Sequence, residues 1–304
     1  MKNLLITHND LDGISPIILL KLTNQKFEYH SIEISDIEKT FEELFKNDIT
    51  KYDQIYITDL TVPKSVYEEL NKRNLKVKVF DHHESHKYAK EYPYTTIEVS
   101  LNGRLTCGTE LFYEYLKDIY PELNKPNIKE YVELVRQIDT YTFTDDLPRQ
   151  LDLIRDTFGK VDFMKSIIKR LQKEKEHFEL TTFEKRFVKL KLNEVQRYMQ
   201  TKEQEMFKYE IDGKICGVIF AEKNKSELGN YISNKYPDLD LVILIDASKR
   251  ISYRTRRDDV SVAEFAENYG GGGHQKASGS YINPELRKQV IELYFKDAKC
   301  LDNN

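Results

Sequence analysis

Three short apolar runs near the start of this chain each end on an acid or an imidazole. Leu4-Leu5-Ile6 leads into His8-Asn9-Asp10-Leu11-Asp12-Gly13, Ile55-Tyr56-Ile57-Thr58 stops at Asp59, and Lys76-Val77-Lys78-Val79-Phe80 runs into Asp81-His82-His83. Between them, residues 17–22, 37–45 and 66–71 carry apolar side chains at helical spacing. Strands alternating with helices predict a parallel sheet with crossover helices, with strands at 3–7, 27–33, 54–59, 76–81 and 95–99. In open sheets of this kind the ligand crevice lies outside the carboxyl ends of the strands, where helix N-termini also point. All three polar clusters fall at that edge. Read as an extended segment, His8, Asp10 and Asp12 share one side before Gly13 turns the backbone.

The later sequence extends the pattern. A helix through Leu111, Phe112, Tyr115, Leu116 and Ile119 is stopped by Pro121, and a second, from 128 to 138, leaves Asp139 just past its end. Residues 150–205 read as helical, with Phe183, Phe187, Leu190, Val195 and Tyr198 as an apolar stripe. Strands at 215–221, 239–245 and 250–256, and a helix at 262–269 running into four glycines, make a second, smaller α/β domain. The expected division is 1–180, a connecting helix at 181–207, and 208–304; at 304 residues two domains are the natural expectation.

No apolar run approaches the roughly 20 residues that cross a bilayer, and the N-terminus lacks the features of a secretion signal. Cytoplasmic residence without a membrane partner is the expectation. Cys107, Cys216 and Cys300 are far apart, form no C-x-x-C pair and read as free thiols. With a net charge of −4, any nucleic-acid partner must be held by a local basic patch.

A calcium loop fails on register: with Gly13 at the sixth position, Leu19 occupies the twelfth, where a glutamate is required. Carboxylates and imidazoles gathered at one edge repel and destabilise one another unless cations stand between them. Mixed oxygen and nitrogen donors suit Mn2+ better than Mg2+. Two Mn2+ ions are expected, with Mg2+ or Co2+ as substitutes; such a pair activates a water and clamps a phosphate through in-line displacement.

At the other end of the chain, Gly270-Gly271-Gly272-Gly273-His274 allows backbone amides to approach a phosphate or base, with His274 as an added donor. Gln275 and Lys276 exclude both the P-loop and the dinucleotide-binding glycine patterns. In a strand at 250–256, Arg250, Ser252, Arg254 and Arg256 share one face, a cationic strip suited to phosphates or to a solvated edge.

Taken in order, these residues resemble the DHH phosphoesterase family. His8, Asp10 and Asp12 look like its first motif, Thr58-Asp59-Leu60 its second, Asp81-His82-His83 its third and Gln137-Ile138-Asp139-Thr140 its fourth. The glycine run followed by Ala277-Ser278-Gly279 is similar to the signature of the associated C-terminal domain. The resemblance implies an α/β protein with a parallel-sheet DHH domain, a helical connector and a smaller α/β C-terminal domain. It implies one metal on His8 and Asp10, another on Asp12 and His82, with Asp59 and Asp139 shared, Asp81 orienting a histidine and His83 facing the substrate phosphate. Arg254, His274, Gly271, Gly272 and Gly273 would hold substrate. The implied activity is manganese-dependent hydrolysis of very short RNA to mononucleotides, extending to cyclic mononucleotides. Its alternatives are a phosphatase of 3′-phosphoadenosine 5′-phosphate and a non-catalytic nucleotide-binding sensor; a homodimer is left open.

Overall fold

The computed structural model describes residues 2–248 and 250–295; Cys300 lies outside them. The chain divides into two compact units, Met1–Val188 and Lys189–Asn304. The first begins β1 (Asn3–His8), α1 (Leu11–Leu22), β2 (Phe27–Ile32), α2 (Ile37–Lys46), β3 (Gln54–Thr58), α3 (Lys64–Lys72), β4 (Val77–Asp81) and β5 (Thr95–Ile97). A hairpin of β6 (Ser100–Leu101) and β7 (Arg104–Leu105) precedes α4 (Gly108–Lys117), α5 (Pro126–Asp139), α6 (Leu147–Phe158) and α7 (Lys160–Leu171).

The sheet is parallel throughout, in the order β2-β1-β3-β4-β5. Leu5, Tyr56 and Phe80 pack into one core with α1, α4 and α5. Leu4, Ile6, Ile55, Ile57, Val77 and Val79 pack into a second with α2 and α3. Strands covered on both faces read as unbroken apolar runs, which is why the sequence marks them plainly. The strand order reverses at β1, so β1 and β3 flank the switch point where such sheets open a crevice.

Helix α1 begins well before the expected residue 17, at Leu11, and this corrects the extended reading of the first motif. Asp10 is its N-cap, its Oδ1 accepting the Gly13 amide at 2.9 Å, and Asp12 lies in its first turn. Gly13 does not turn the chain; it lies inside the helix, where a Cβ would come within 2.1 Å of the His8 carbonyl oxygen. Pro16, also inside α1, has no N–H to offer the carbonyl of Asp12. The Thr109 hydroxyl donates to that oxygen instead, at 2.6 Å, and ties α4 to α1.

The stretch expected to be helical from 150 to 205 is α6, α7 and α8 (Thr182–Gln204), with 172–181 outside any helix. Thr181 and Glu184 cap α8 reciprocally, the Glu184 amide donating to Thr181 Oγ1 and the Thr181 amide to Glu184 Oε2. The same carboxylate takes both bonds from Arg170 Nη2, at 2.6 and 2.7 Å. Phe183 and Leu190 stand exposed, so the expected apolar stripe is not continuous.

The second unit holds β8 (Phe207–Ile211), β9 (Lys214–Phe220), α9 (Lys225–Lys235), β10 (Leu241–Asp246), β11 (Arg250–Arg254), α10 (Val262–Glu267), β12 (Gly272–His274), β13 (Ala277–Tyr281) and α11 (Pro284–Tyr294). Its mixed sheet runs β12-β13-β11-β10-β9-β8, parallel only between β9 and β10. Val262 and Phe265 of α10 pack on one face and Leu228 and Ile232 of α9 on the other. Among the described residues no helix is long and apolar enough to cross a membrane.

Candidate metal centre

Register brings the strand-end residues level. Thr7 pairs with Thr58 and Thr58 with Phe80, so His8, Asp59 and Asp81 leave the sheet side by side. Asp59 takes the left-handed conformation at φ 53°, a region in which Asp is enriched among non-glycine residues, while its amide still donates to the Phe80 carbonyl at 2.9 Å.

The two oxygens of Asp59 face different partners. Oδ2 lies 3.6 Å from His8 Nδ1, which is itself 3.0 Å from Asp10 Oδ2. Oδ1 lies 3.4 Å from His82 Nε2, and that nitrogen is 3.5 Å from Asp139 Oδ2 and 3.8 Å from Asp12 Oδ2. His8, Asp10 and Asp59 therefore form one donor group and Asp12, His82 and Asp139 another. Asp139 is the last residue of α5, not a residue beyond it, and it joins the His82 group.

Asp12 is fixed from outside the crevice. Its Oδ2 accepts the Gly108 amide at 2.7 Å and its Oδ1 the Thr109 amide at 2.8 Å, so the amino end of α4 supports its charge. A side chain at 108 would press on Asp59 Cβ at 2.8 Å, and only glycine lets α4 approach this closely.

The electrostatics show strong mutual perturbation. Burial, with Asp59 and Asp139 adding, pushes the Asp12 carboxyl well above its usual range. Burial likewise raises Asp139 to about 6, against the pull of His82. The neighbouring carboxylates, Asp10 first and then Asp59, push His8 up to about 10. Burial works against protonation of His82, but Asp59, Asp12 and Asp139 prevail and raise it to about 10 as well. Asp59 Oδ2, His82 Nε2 and Asp139 Oδ2 are buried polar atoms without a hydrogen-bond partner. Such groups are costly inside a protein, and three converging on one crevice fit a set of donors shaped for cations.

Asp81 is fully buried and organises the histidines. Its Oδ1 accepts the His82 amide at 2.8 Å and pairs with His83 Nδ1 at 2.7 Å; its Oδ2 pairs with His86 Nδ1. Burial would raise this carboxyl, yet the bonds to His83 and His86 hold it well below its usual range. His83, its Nδ1 engaged, is half-exposed. His86 escaped the sequence reading. It is wholly buried, its Nε2 bonded to the Tyr67 hydroxyl at 2.8 Å, and only the five-residue step back to Asp81 hinted at it.

In the second unit the expected residues do not all gather. Gly271 and Gly272 line a cavity of about 370 Å3 with Arg250, Ser280 and Tyr281, while Arg254 and His274 are not among its walls. The glycine run is partly strand, and a Cβ at 271 or 273 would strike β13 at 2.2 or 2.7 Å, so sheet packing alone requires two of these glycines. The strip is shorter than expected: Ser252 is buried, Arg256 lies beyond β11, and Arg250 is exposed. Arg254 donates to the carbonyls of Tyr253 and Ser278 and to Ser226 Oγ, and has no ion-paired carboxylate among the described residues.

A parallel sheet with acids and imidazoles at three strand ends, a mixed-sheet second unit with its glycine run, and the Asp-His-His triplet define a class. The chain belongs to the DHH phosphoesterase family, in its oligoribonuclease branch. It is 33% identical over 311 residues to Oligoribonuclease NrnB of Bacillus subtilis (strain 168), a match covering 98% of this chain and 76% of that protein. The fold is shared with a solved structure of PggH, a pGpG-specific phosphodiesterase from Vibrio cholerae, at 17% identity and a TM-score of 0.55 over 97% of this chain and 98% of that one. No family model matches the chain.

Proposed function

We propose that this protein is a divalent-metal-dependent phosphodiesterase that degrades very short RNA to mononucleotides. The observation that carries the reading is the pair of donor groups meeting at Asp59 and His82, with three buried, unpartnered polar atoms between them. In this proposal His8, Asp10 and Asp59 would hold one ion, and Asp12, His82 and Asp139 the other, with the Asp59 carboxylate available to both groups. Mixed carboxylate and imidazole donors favour Mn2+. When bound, such ions supply Lewis-acid polarisation of the phosphodiester and activation of the attacking water.

This chain's own residues do the rest. Asp81 fixes the ring of His83 through Nδ1 and leaves its other nitrogen for a phosphate oxygen. Arg254, His274 and the amides of Gly271, Gly272 and Gly273 are proposed to hold a second part of the substrate. The identity to a protein named an oligoribonuclease supports RNA as the substrate class.

The test is a panel of end-labelled RNAs from dinucleotides upward, with 3′-phosphoadenosine 5′-phosphate and cyclic mononucleotides alongside, each with Mn2+ or Mg2+. The reading expects the highest kcat/KM on the shortest RNAs with Mn2+. Preference for the phosphoadenosine compound would assign a phosphatase instead. Tight dinucleotide binding without turnover would assign a sensor.

A further inference from the structure

Two residues beyond Asp139, the backbone does something that packing does not require. Helix α5 ends in a Schellman turn: the Thr142 amide donates to the Gln137 carbonyl at 3.1 Å and the Tyr141 amide to the Ile138 carbonyl at 3.3 Å. The residue at the left-handed position of this turn is usually glycine, because a Cβ there is strained. Here it is Tyr141, at φ 57°.

The tyrosine gains nothing from burial. It is 79% exposed, and its hydroxyl has no partner among the described residues. The turn beneath it is nonetheless firmly built. Arg136 Nη1 donates to Thr142 Oγ1 at 3.1 Å, the Thr140 and Thr142 hydroxyls are 2.7 Å apart, and the Thr144 amide donates to Gln137 Oε1 at 3.0 Å. The ring meets Phe143 edge to face at a centroid distance of 4.8 Å, and the Arg149 guanidinium covers Phe143 at 4.2 Å. A strained, exposed aromatic is thus held in place two residues after Asp139, a carboxylate of the donor cluster.

We propose that Tyr141, backed by Phe143, is a stacking platform for a nucleobase of the substrate whose phosphodiester lies at the Asp139 end of the cluster. Every base offers a π-face, so a platform of this kind binds without reading sequence. Strain retained at a position that glycine would fill more comfortably marks a residue kept for contact with a ligand. The inference rests on the proposed phosphodiesterase reading and adds the residue that grips the base.

The test is steady-state kinetics of the full chain on an RNA dinucleotide and on its two analogues that each lack one base, with Tyr141→Gly, Tyr141→Ala, Tyr141→Phe and Tyr141→Trp. In the glycine and alanine variants KM for the dinucleotide should rise roughly tenfold or more, the loss falling on KM and not on kcat. The aromatic variants should retain the parental KM. On one of the two base-lacking analogues the glycine variant and the parent should converge. Tyr141→Gly should also melt a few degrees above the parent, because the left-handed strain is relieved. A parental KM in Tyr141→Gly and Tyr141→Ala, while the parent cleaves dinucleotides, overturns the platform and leaves the phosphodiesterase reading standing. A lowered melting temperature with reduced kcat overturns it in favour of a structural role. A parent that cleaves no dinucleotide with any divalent ion removes both.

Discussion

Nε2 of His82 lies 3.4 Å from Oδ1 of Asp59. The opposite oxygen of the same carboxylate lies 3.6 Å from His8 Nδ1, so one side chain serves both donor groups. Strand register produces this: β1, β3 and β4 run parallel and in step, and their next residues emerge together.

Asp59→Asn is the sharpest substitution. Asparagine accepts the left-handed backbone as readily as aspartate and keeps the volume. Hydrolysis should fall more than roughly a hundredfold, since even the outer partners of metal ligands are worth up to that much. The melting temperature should change little, because the lost repulsion from Asp12 and Asp139 is set against the lost attraction to His8 and His82. Parental turnover in this variant would count against the shared-carboxylate arrangement.

His86→Leu tests the support behind the triplet. It leaves Asp81 Oδ2 without its closest partner and the Tyr67 hydroxyl unpaired in the interior. Unfolding in urea should show a loss of about 2–4 kcal/mol. Turnover should fall about tenfold as His83 loses its fixed orientation. A variant with parental stability and parental kcat contradicts this role.

How much of this was legible follows from where each signal lies. The three central strands β1, β3 and β4 and the acids and imidazoles at their ends showed plainly, because buried strands read as apolar runs and polar strand ends interrupt them. The start of α1 did not show. Ile14, Ile17, Ile18, Leu19 and Leu20 are all buried, so the helix has no polar face to give a period, and Pro16 reads as a breaker. Strands β12 and β13 were hidden by glycine and serine, which carry little strand propensity. The donor residues were visible in sequence, but the split of the oxygens of Asp59 and the grouping of Asp139 with His82 depend on register and helix length.

Thr109 and Pro16 form a pair that a double-mutant cycle can expose. Thr109→Val removes the donor to the Asp12 carbonyl and should cost about 1–3 kcal/mol. Pro16→Ala restores an amide able to bond that carbonyl, so the combined variant should recover part of the loss. Additive effects in the denaturation midpoints would refute the substitution of hydroxyl for amide.

In the second unit, Glu203 of α8 accepts from Lys235, Tyr231 and Tyr236 of the α9 region, at 2.8, 2.6 and 2.6 Å. The bond to Lys235 first, then those to the two tyrosines, lower its pKa from 4.5 to about 2. A depressed carboxylate stabilises the fold above its unfolded pKa and loses that contribution as pH falls through its folded one. Glu203→Gln should therefore cost about 1 kcal/mol near neutrality. The gap between variant and parent should persist down to about pH 4.5 and close toward pH 2. A gap independent of pH in thermal melts would reject the ion-pair origin.

The most direct measurement is anomalous scattering from crystals of the protein soaked in Mn2+. The account predicts two strong manganese peaks, one beside Asp59 Oδ2 with His8 and Asp10, the other beside Asp59 Oδ1 with Asp12, His82 and Asp139. A single peak, or peaks away from these residues, would contradict it.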